Sequence, residues 1–352
     1  MPRTGRASVV VGERFEIREY PVPEPAPGTV LLRQELAGIC GTDLHNWEHQ
    51  RLDDEMILGH ENVGIVDTLG EGVTHDHLGR PVRTGDRIAL VPGTSQGAYG
   101  FIPAEEQPYL RGGFGEYIYL WNPGSVFFKT DLPAEVAVLL EPFTIGVHGV
   151  MRAGIQFGDT VVVQGSGAIG LVTLICAKVS GAGRLIMVGG PPGRLDLARE
   201  IGADVTVDIA EVPDPDERKR VVRDSTPGGA GADVVFECAG FLQALPEGLD
   251  YLRQNGTYVE MGHFVDVGTF ECNPNRMFMR KNLRFEAVWA SSPDHFVRGL
   301  PILEKNEFPF ADMVSHTIPL DRVPEGFNAL AGSYRLDGKD AIKIAVSGSL
   351  QP

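Results

Sequence analysis

The pattern of hydrophobic and polar residues changes near residue 133. Before that point, short apolar segments alternate with clusters of glycine, proline and aspartate, which is typical of β-strands joined by tight turns. This spacing favours a barrel or a sandwich. The predicted strands are residues 7–11, 15–20, 29–36, 63–69, 87–91, 116–120 and 125–128.

Beyond residue 133 the apolar segments lengthen. A helix is predicted over residues 134–151, because proline precedes it and Gly154 follows it. Fully apolar strands then alternate with helical segments, which suits a parallel sheet covered by helices on both faces. We therefore predict a doubly wound α/β domain. Its predicted elements are residues 160–164, 169–179, 184–188, 195–201, 205–207, 233–239 and 257–261.

Length and composition narrow the class of protein. A chain of 352 residues is long enough for two domains, and strand and helix pieces after Met313 could rejoin the first one. The formal charge of −16 disfavours nucleic acids and anionic membranes as partners.

The N-terminus has no apolar signal core, and no apolar run approaches the roughly 18 residues of a membrane span, so we expect a cytoplasmic protein. No two of the four cysteines are close enough for a C-x-x-C clip; they are Cys40, Cys176, Cys238 and Cys272.

A glycine-rich turn follows the strand predicted at 160–164. It has the pattern G-x-G-x-x-G between an apolar strand and a helix, where the glycines allow a tight turn and close approach of a pyrophosphate to the helix N-terminus. This context predicts a dinucleotide site. The predicted cofactor contacts in the turn are Gly165, Ser166, Gly167, Ile169 and Gly170.

The end of the next strand lacks the acid that usually binds the adenosine ribose. Gly189 and Gly190 stand there, so neither the usual acceptor for a 2′-hydroxyl nor the usual repulsion of a 2′-phosphate is present. This strand end therefore does not select NAD over NADP. We include Gly189 and Arg194 among the cofactor-binding candidates; Arg194 could meet a 2′-phosphate or could be a surface residue at a helix start.

Candidate metal ligands lie in the β-rich part. Cys40, His60 and Glu141 offer a thiolate, an imidazole and a carboxylate, and Glu61 follows His60 directly. Three such ligands can hold Zn²⁺ and leave a fourth position for water or substrate, as in a catalytic site. Bound Zn²⁺ lowers the pKa of an alcohol, which favours hydride transfer to a nicotinamide. Glu141 is also compatible with a simple ion pair on a helix.

In their order along nearly the whole chain, these motifs resemble the zinc-dependent medium-chain alcohol and polyol dehydrogenases. The resemblance is carried by residues 40–43, 59–64, 165–170, 233–240 and 341–343. It implies a GroES-like β-rich catalytic domain, residues 1–150 completed by 300–352, and a Rossmann cofactor-binding domain at 151–299.

The resemblance also implies roles for individual residues. Cys40 and His60 match zinc ligands, and Glu141 matches the third ligand of sorbitol-type members. Either Glu61 or water would complete the zinc site. Asp43 matches the carboxylate that orients the His60 imidazole.

Three further roles concern the proton and the cofactor. Thr42 would pass the alcohol proton through the cofactor ribose to His45, a base at the solvent end whose ordinary pKa suits that task. Lys343 matches a basic residue that pairs with the cofactor pyrophosphate.

One departure from the family concerns a second metal. Most zinc members have four closely spaced cysteines in a lobe that holds a structural zinc, and residues 91–115 contain none. We therefore expect one catalytic zinc and no structural zinc. Packing or a neighbouring subunit must hold this lobe; we expect a homo-oligomer, either a dimer or a tetramer.

The predicted activity is hydride transfer between a nicotinamide cofactor and a secondary alcohol, giving a ketone. We expect NAD as the cofactor, because NAD is usual in the family that the chain resembles, and NADP is the alternative. Trp47 and Trp289 favour a bulky or alicyclic alcohol, while a polyol, sorbitol-like or threonine-dehydrogenase-like substrate stays possible. A metal-free relative of the crystallin or quinone-reductase type is the alternative from another class. A serine hydrolase is disfavoured, because no helix follows the G-x-S-x-G pattern around Ser95.

Overall fold

The structure is a computed structural model that describes residues 3–48 and 54–349. It divides into two compact units: residues 1–141 with 292–352, and residues 142–291. The sequence predicts domain boundaries at 150/151 and 299/300, whereas the structure divides the chain at 141/142 and 291/292. Each predicted boundary therefore lies C-terminal to the observed one.

Strands and helices follow one another along the whole described chain. The strands are β1 (Thr4–Val11), β2 (Arg14–Pro21), β3 (Val30–Gly38), β4 (Glu61–Leu69), β5 (Arg87–Leu90), β6 (Gly93–Thr94), β7 (Gly97–Ala98), β8 (Tyr117–Leu120), β9 (Phe127–Lys129), β10 (Thr160–Gln164), β11 (Arg184–Gly189), β12 (Val205–Asp208), β13 (Ala232–Glu237), β14 (Leu252–Glu260), β15 (Arg284–Ala287), β16 (Val314–Pro319), β17 (Arg335–Leu336), β18 (Lys339–Asp340) and β19 (Lys343–Ser347). The α-helices are α1 (Gly41–Glu48), α2 (Ala134–Ala137), α3 (Leu140–Ala153), α4 (Ala168–Val179), α5 (Pro192–Ile201), α6 (Pro215–Asp224), α7 (Ala244–Tyr251), α8 (Pro274–Met277), α9 (Pro293–Lys305), α10 (Phe310–Met313) and α11 (Val323–Ala331), with 3-10 turns at Pro227–Gly229, Met279–Lys281 and Leu320–Arg322.

The first unit is built on a β-sheet that the C-terminal strands complete, while β1 and β2 pair in a separate two-stranded sheet. The strand order of the larger sheet is β16-β19-β3-β4-β5-β9, with β8 also paired to β3. β19 lies antiparallel to β3, with Ala345 opposite Gly38. The C-terminal segment therefore rejoins the first domain. One apolar core joins β1 and β3 to α11, including Ala37 and Phe327.

The second unit contains a parallel sheet with the order β12-β11-β10-β13-β14-β15. Every residue of β10 is buried, as its run of valines predicts for a central strand. α4 begins directly after Gly167, and α5 starts with proline and ends before Gly202, whose φ of +116° suits glycine. This is the predicted doubly wound α/β domain.

The helix predicted over 134–151 is interrupted. It forms α2 and α3, and Pro142 stands in the first turn of α3, where its missing N–H is tolerated. Taken together, residues 134–153 are long and apolar enough to cross a membrane, but 67% of their most apolar window is buried inside the protein. The expectation that no apolar stretch approaches this length is therefore wrong, although such burial is typical of a core helix.

Ser95 lies in the turn between β6 and β7, two short antiparallel strands. A nucleophile elbow would require a strand-to-helix turn here. The local structure therefore offers no support for a serine hydrolase.

Candidate active site

The residues around Cys40 are fixed by the start of α1. Cys40 follows β3, and its backbone N–H donates to Asp43 Oδ2 at 2.9 Å. A side chain in the first turn that accepts from the residue before the helix stabilises the helix start. Thr42 Oγ1 lies 3.7 Å from Cys40 Sγ. This short, polar helix is absent from the elements that the hydrophobic pattern predicts.

His60 and Glu61 enter the site at the beginning of β4. Gly59 precedes them with φ +92°, and a Cβ there would lie 2.8 Å from the Phe114 ring, so glycine is required. The buried His60 ring places Nδ1 3.4 Å from Oδ1 of Asp43. Burial lowers the pKa of His60, but the neighbouring Asp43 and Cys40 raise it more, and the result lies well above the usual value.

Glu61 is paired with Lys343 from the C-terminal strand. Lys343 Nζ donates to both carboxylate oxygens of Glu61 at 2.7 Å and to the Ile39 carbonyl at 3.1 Å. Gly38 leaves room for this carboxylate, since a Cβ there would lie 1.9 Å from Glu61 Oε2. Burial lowers the pKa of Lys343, but Glu61 and Cys40 raise it above its ordinary value.

One ligand atom from each of Cys40, His60 and Glu61 lies within 4.8 Å of the other two. A thiolate, an imidazole and a carboxylate at this separation suit a zinc ion. Glu141 falls outside that group among the described residues, but it interacts electrostatically with both His60 and Glu61. Burial, Glu61 and Asp43 raise the pKa of Glu141 to about 7 against the opposing effect of His60 and Lys343. Such an excess of acidic donors fits a divalent cation.

In the second unit, the predicted phosphate-binding turn has the required close approaches. A Cβ on Gly170 would lie 1.7 Å from the Gly165 carbonyl oxygen, whereas a Cβ on Gly167 would meet only Arg194 Nη1, at 3.9 Å. Ser166 Oγ donates to the Gly190 carbonyl and accepts from the Gly190 N–H, both at 2.9 Å. The glycine turn is therefore tightly built, while its second glycine faces open space.

Two family profiles cover most of this chain. "Alcohol dehydrogenase GroES-like domain" matches residues 26–129, and "Zinc-binding dehydrogenase" matches residues 168–305. The chain is 33% identical to 5-exo-hydroxycamphor dehydrogenase of Pseudomonas putida, over 90% of this chain and 92% of that protein. The chain belongs to the zinc-binding alcohol dehydrogenase family. It is also 31% identical to sorbitol dehydrogenase of Gallus gallus, over 93% and 94% of the two chains.

A solved structure gives the same family. Alcohol dehydrogenase from Thermotoga maritima aligns with a TM-score of 0.88 and 27% identity, covering 98% of this chain and 99% of that one. The predicted family, fold class and enzyme class are thereby confirmed. The protein is a nicotinamide-dependent alcohol dehydrogenase of the zinc-binding type.

Side-chain packing within the chain contributes to holding the lobe at 91–115 in the dehydrogenase. Tyr99 is fully buried, hydrogen-bonds to Ser125 Oγ at 2.5 Å and makes an edge contact with Trp121. The guanidinium of Arg111 lies over the Trp121 ring, 5.3 Å from its centroid, and donates to the Glu106 carbonyl at 2.9 Å. These contacts lie within the chain itself.

The remaining predicted residues have definite places in the dehydrogenase. His45 lies one turn beyond Thr42 on α1, and its Nδ1 is 3.9 Å from Glu48 Oε2. Arg194 is buried rather than a surface residue, and Gly189 packs against Ser166. Lys343 meets Glu61 in the first unit, a partner that sequence reasoning missed because the two residues are far apart in the chain.

The proposed substrate-lining residues are less informative. Trp47 donates to the Glu13 carbonyl at 3.1 Å and packs against Phe15 and Phe327, which gives it a structural role. Trp289 is 73% exposed. The substrate loop expected at 47–56 includes residues 49–53, which lie outside the described residues.

Proposed function

We propose that this dehydrogenase oxidises a secondary alcohol reversibly to a ketone, with one zinc ion held by Cys40, His60 and Glu141 and with Glu61 or water as the fourth ligand. The observation that carries the proposal is the convergence of the Cys40, His60 and Glu61 side chains within 4.8 Å in a member of the zinc-binding family. When bound, zinc would supply a Lewis acid that lowers the pKa of the substrate alcohol.

Asp43 and Lys343 prepare the ligands. Asp43 is completely buried and faces His60 Nδ1, so it fixes the orientation of the imidazole. Lys343 neutralises Glu61 and holds both of its oxygens. Glu141 is therefore the better third ligand while this ion pair persists, and Glu61 or water completes the site.

Thr42 and His45 form the proposed proton path. Thr42 lies beside Cys40, where it would accept the alcohol proton, and His45 would deliver that proton to solvent. When bound, the cofactor would supply a ribose hydroxyl between these two residues. The His45 side chain is 32% exposed, so it can exchange the proton with solvent.

The cofactor turn would bind the pyrophosphate of NAD or NADP at Gly165–Gly170, with Ser166 and Ile169 completing it. Arg194 is the cation nearest to the open side of Gly167. A guanidinium there suits either the pyrophosphate or a 2′-phosphate. NAD remains the preferred cofactor on family habit, with NADP as the alternative that Gly189 leaves open.

The substrate class follows from the relatives. Hydroxycamphor and sorbitol, named in two of them, are respectively an alicyclic secondary alcohol and a polyol. We propose one of these two classes, with threonine-like amino alcohols as a third possibility. We also propose a cytoplasmic homo-oligomer: β15 is an edge strand, and Phe285 on it is 42% exposed.

Zinc analysis and steady-state rates test the proposal together. The purified protein should contain one zinc per chain, and Cys40→Ser should lose both zinc and alcohol oxidation. Cys272→Ser is the matched control, because Cys272 is exposed and lies outside the site. Rates with NAD and NADP over cyclic alcohols, polyols and 2-amino-3-hydroxy acids then identify the substrate class and cofactor. A zinc-free protein with unchanged oxidation after Cys40→Ser would refute the metal site and favour a metal-free relative.

A further inference from the structure

A second cluster of potential ligand atoms lies in the cofactor-binding unit. It consists of Glu237, Glu260 and His263, whose donor atoms lie within 4.8 Å of one another. Glu237 ends β13 and Glu260 ends β14, and the two are register partners on adjacent parallel strands. Both carboxylates therefore stand at the carboxyl edge of the sheet, where ligands bind in open α/β folds.

Hydrogen bonds fix the geometry of this cluster. His263 Nδ1 lies 3.0 Å from Glu260 Oε1 and 3.4 Å from Glu237 Oε2. Glu237 Oε1 accepts the backbone N–H groups of Ala239 and Gly240 at 2.7 and 2.9 Å. Glu260 Oε1 accepts those of Gly262 and His263, both at 3.1 Å. The imidazole is thus held from its Nδ1 side.

The other ring nitrogen of His263, Nε2, lacks a hydrogen-bond partner among the described residues. Within the same part of the chain, Oε2 of Glu237, whose side chain is fully buried, lacks one too. The neighbouring carboxylate of Glu237 raises the pKa of His263 most, and together with Glu260 it outweighs burial to give about 9. At neutral pH the ring is therefore an imidazolium with a free Nε2–H donor. A buried donor without an acceptor is costly, so it points to a ligand.

The sheet topology indicates which part of a dinucleotide reaches this edge. β10 carries the phosphate-binding turn, with β11 on one side and β13 on the other, and Gln164 is the register partner of Glu237. The adenosine ribose in such folds is bound at the end of the strand corresponding to β11. The other half of the dinucleotide must extend from the turn toward β13 and β14, and that half carries the nicotinamide.

We propose that His263, positioned by Glu237 and Glu260, donates its Nε2–H to an oxygen of the nicotinamide riboside half of the cofactor. This inference rests on the proposed cofactor site. His263 is then a binding residue, while the two glutamates act through it by holding the ring and its proton. A zinc ion is not required here, because the ring nitrogen facing the carboxylates is already used for hydrogen bonding.

Binding measurements with two ligands test the inference. NAD⁺ contains the nicotinamide riboside, whereas ADP lacks that whole riboside and retains the adenosine and the pyrophosphate group. Loss of one charge-assisted hydrogen bond in His263→Phe should weaken NAD⁺ binding about tenfold and leave ADP binding within about twofold. His263→Gln retains an N–H donor and should recover part of the loss. His75→Phe, in an exposed loop of the first unit, is the matched control.

The outcomes separate the inference from the cofactor proposal. Equal weakening of NAD⁺ and ADP binding would mean that His263 only maintains the fold. Unchanged NAD⁺ binding would mean that His263 does not touch the cofactor. Either result overturns the inference alone. A wild-type protein that binds neither ligand overturns the cofactor site as well. If His263→Phe does not fold, Glu260→Gln replaces it: a selective loss for NAD⁺ supports the inference, and no loss or an equal loss overturns it.

Discussion

Replacing Lys343 by methionine should destabilise the first unit strongly. The Lys343 and Glu61 side chains are 5% and 1% exposed, and both carboxylate oxygens lie 2.7 Å from Nζ. Methionine keeps most of the side-chain volume but leaves the Glu61 carboxylate buried without its cation. Breaking a buried pair in this way costs about 3–5 kcal/mol. Removing both charges, in Lys343→Met with Glu61→Gln, should cost far less than the two single changes added together.

Urea unfolding of the chelator-treated protein measures this effect. Trp47 and Trp121 lie in the first unit, while the third tryptophan, Trp289, lies in the second unit and is 73% exposed, so the change in tryptophan fluorescence mainly follows unfolding of the first unit. Lys339→Met is the matched control, since Lys339 is exposed in the same C-terminal segment. The reasoning is refuted if Lys343→Met costs less than about 1 kcal/mol, or if the double variant is simply additive. Added zinc should reduce the cost, because a dication beside Glu61 replaces the lost positive charge.

Three further predictions concern the lobe, a loop and the cofactor turn. Tyr99→Phe removes a buried hydrogen bond to Ser125 and should lower stability by about 1–2 kcal/mol, seen as a lower Tm with unchanged zinc content. Asp76→Asn should lower the free energy of unfolding by about 2 kcal/mol at pH 7. Burial raises the pKa of Asp76, but hydrogen bonds from Arg80 and Lys129 lower it more, so the carboxylate stabilises the fold above pH ~4 and this stabilisation is lost as pH falls through the lowered pKa. The Tm values of wild type and variant should therefore converge in acid. Gly170→Ala would place a methyl group 1.7 Å from a carbonyl oxygen and should weaken ADP-ribose binding at least about a hundredfold, which titration calorimetry can measure.

The features that the sequence predicts well are those with a local chemical pattern. The valines of β10 and the glycines after it specify a buried strand and a tight turn within a few residues. The candidate thiol and imidazole ligands, Cys40 and His60, also lie in short motifs, and the structure brings their side chains together. α1 has no such pattern, because its residues are mostly polar and Asp43 stabilises it through a hydrogen bond to Cys40.

Contacts between segments that are far apart in the chain cannot be predicted from such local patterns. Asp76 lies between two histidines in a polar stretch of the chain, yet its buried carboxylate accepts hydrogen bonds from the backbone N–H groups of Arg80 and Lys129. Glu237 and Glu260 become neighbours only through the register of β13 and β14. The sequence does show a glutamate at the end of each of two apolar strands and a histidine three residues after the second glutamate. This pattern predicts a cluster only once the two strands are known to be neighbours in the sheet.

The C-terminal strand therefore contributes to the chemistry of the site as well as to the sheet. β19 pairs with β3 directly beside the segment that leads to Cys40, and this pairing brings Lys343 to Glu61 across 282 residues of sequence. The cation sets how much negative charge the Cys40, His60 and Glu61 group presents to a metal. If Lys343 withholds Glu61 from that group, then Glu141 must supply the carboxylate ligand, and its pKa of about 7 means that a bound cation would be needed to keep it fully ionised at neutral pH. In the proposed zinc site, the last strand of the chain therefore determines which carboxylate is the third ligand.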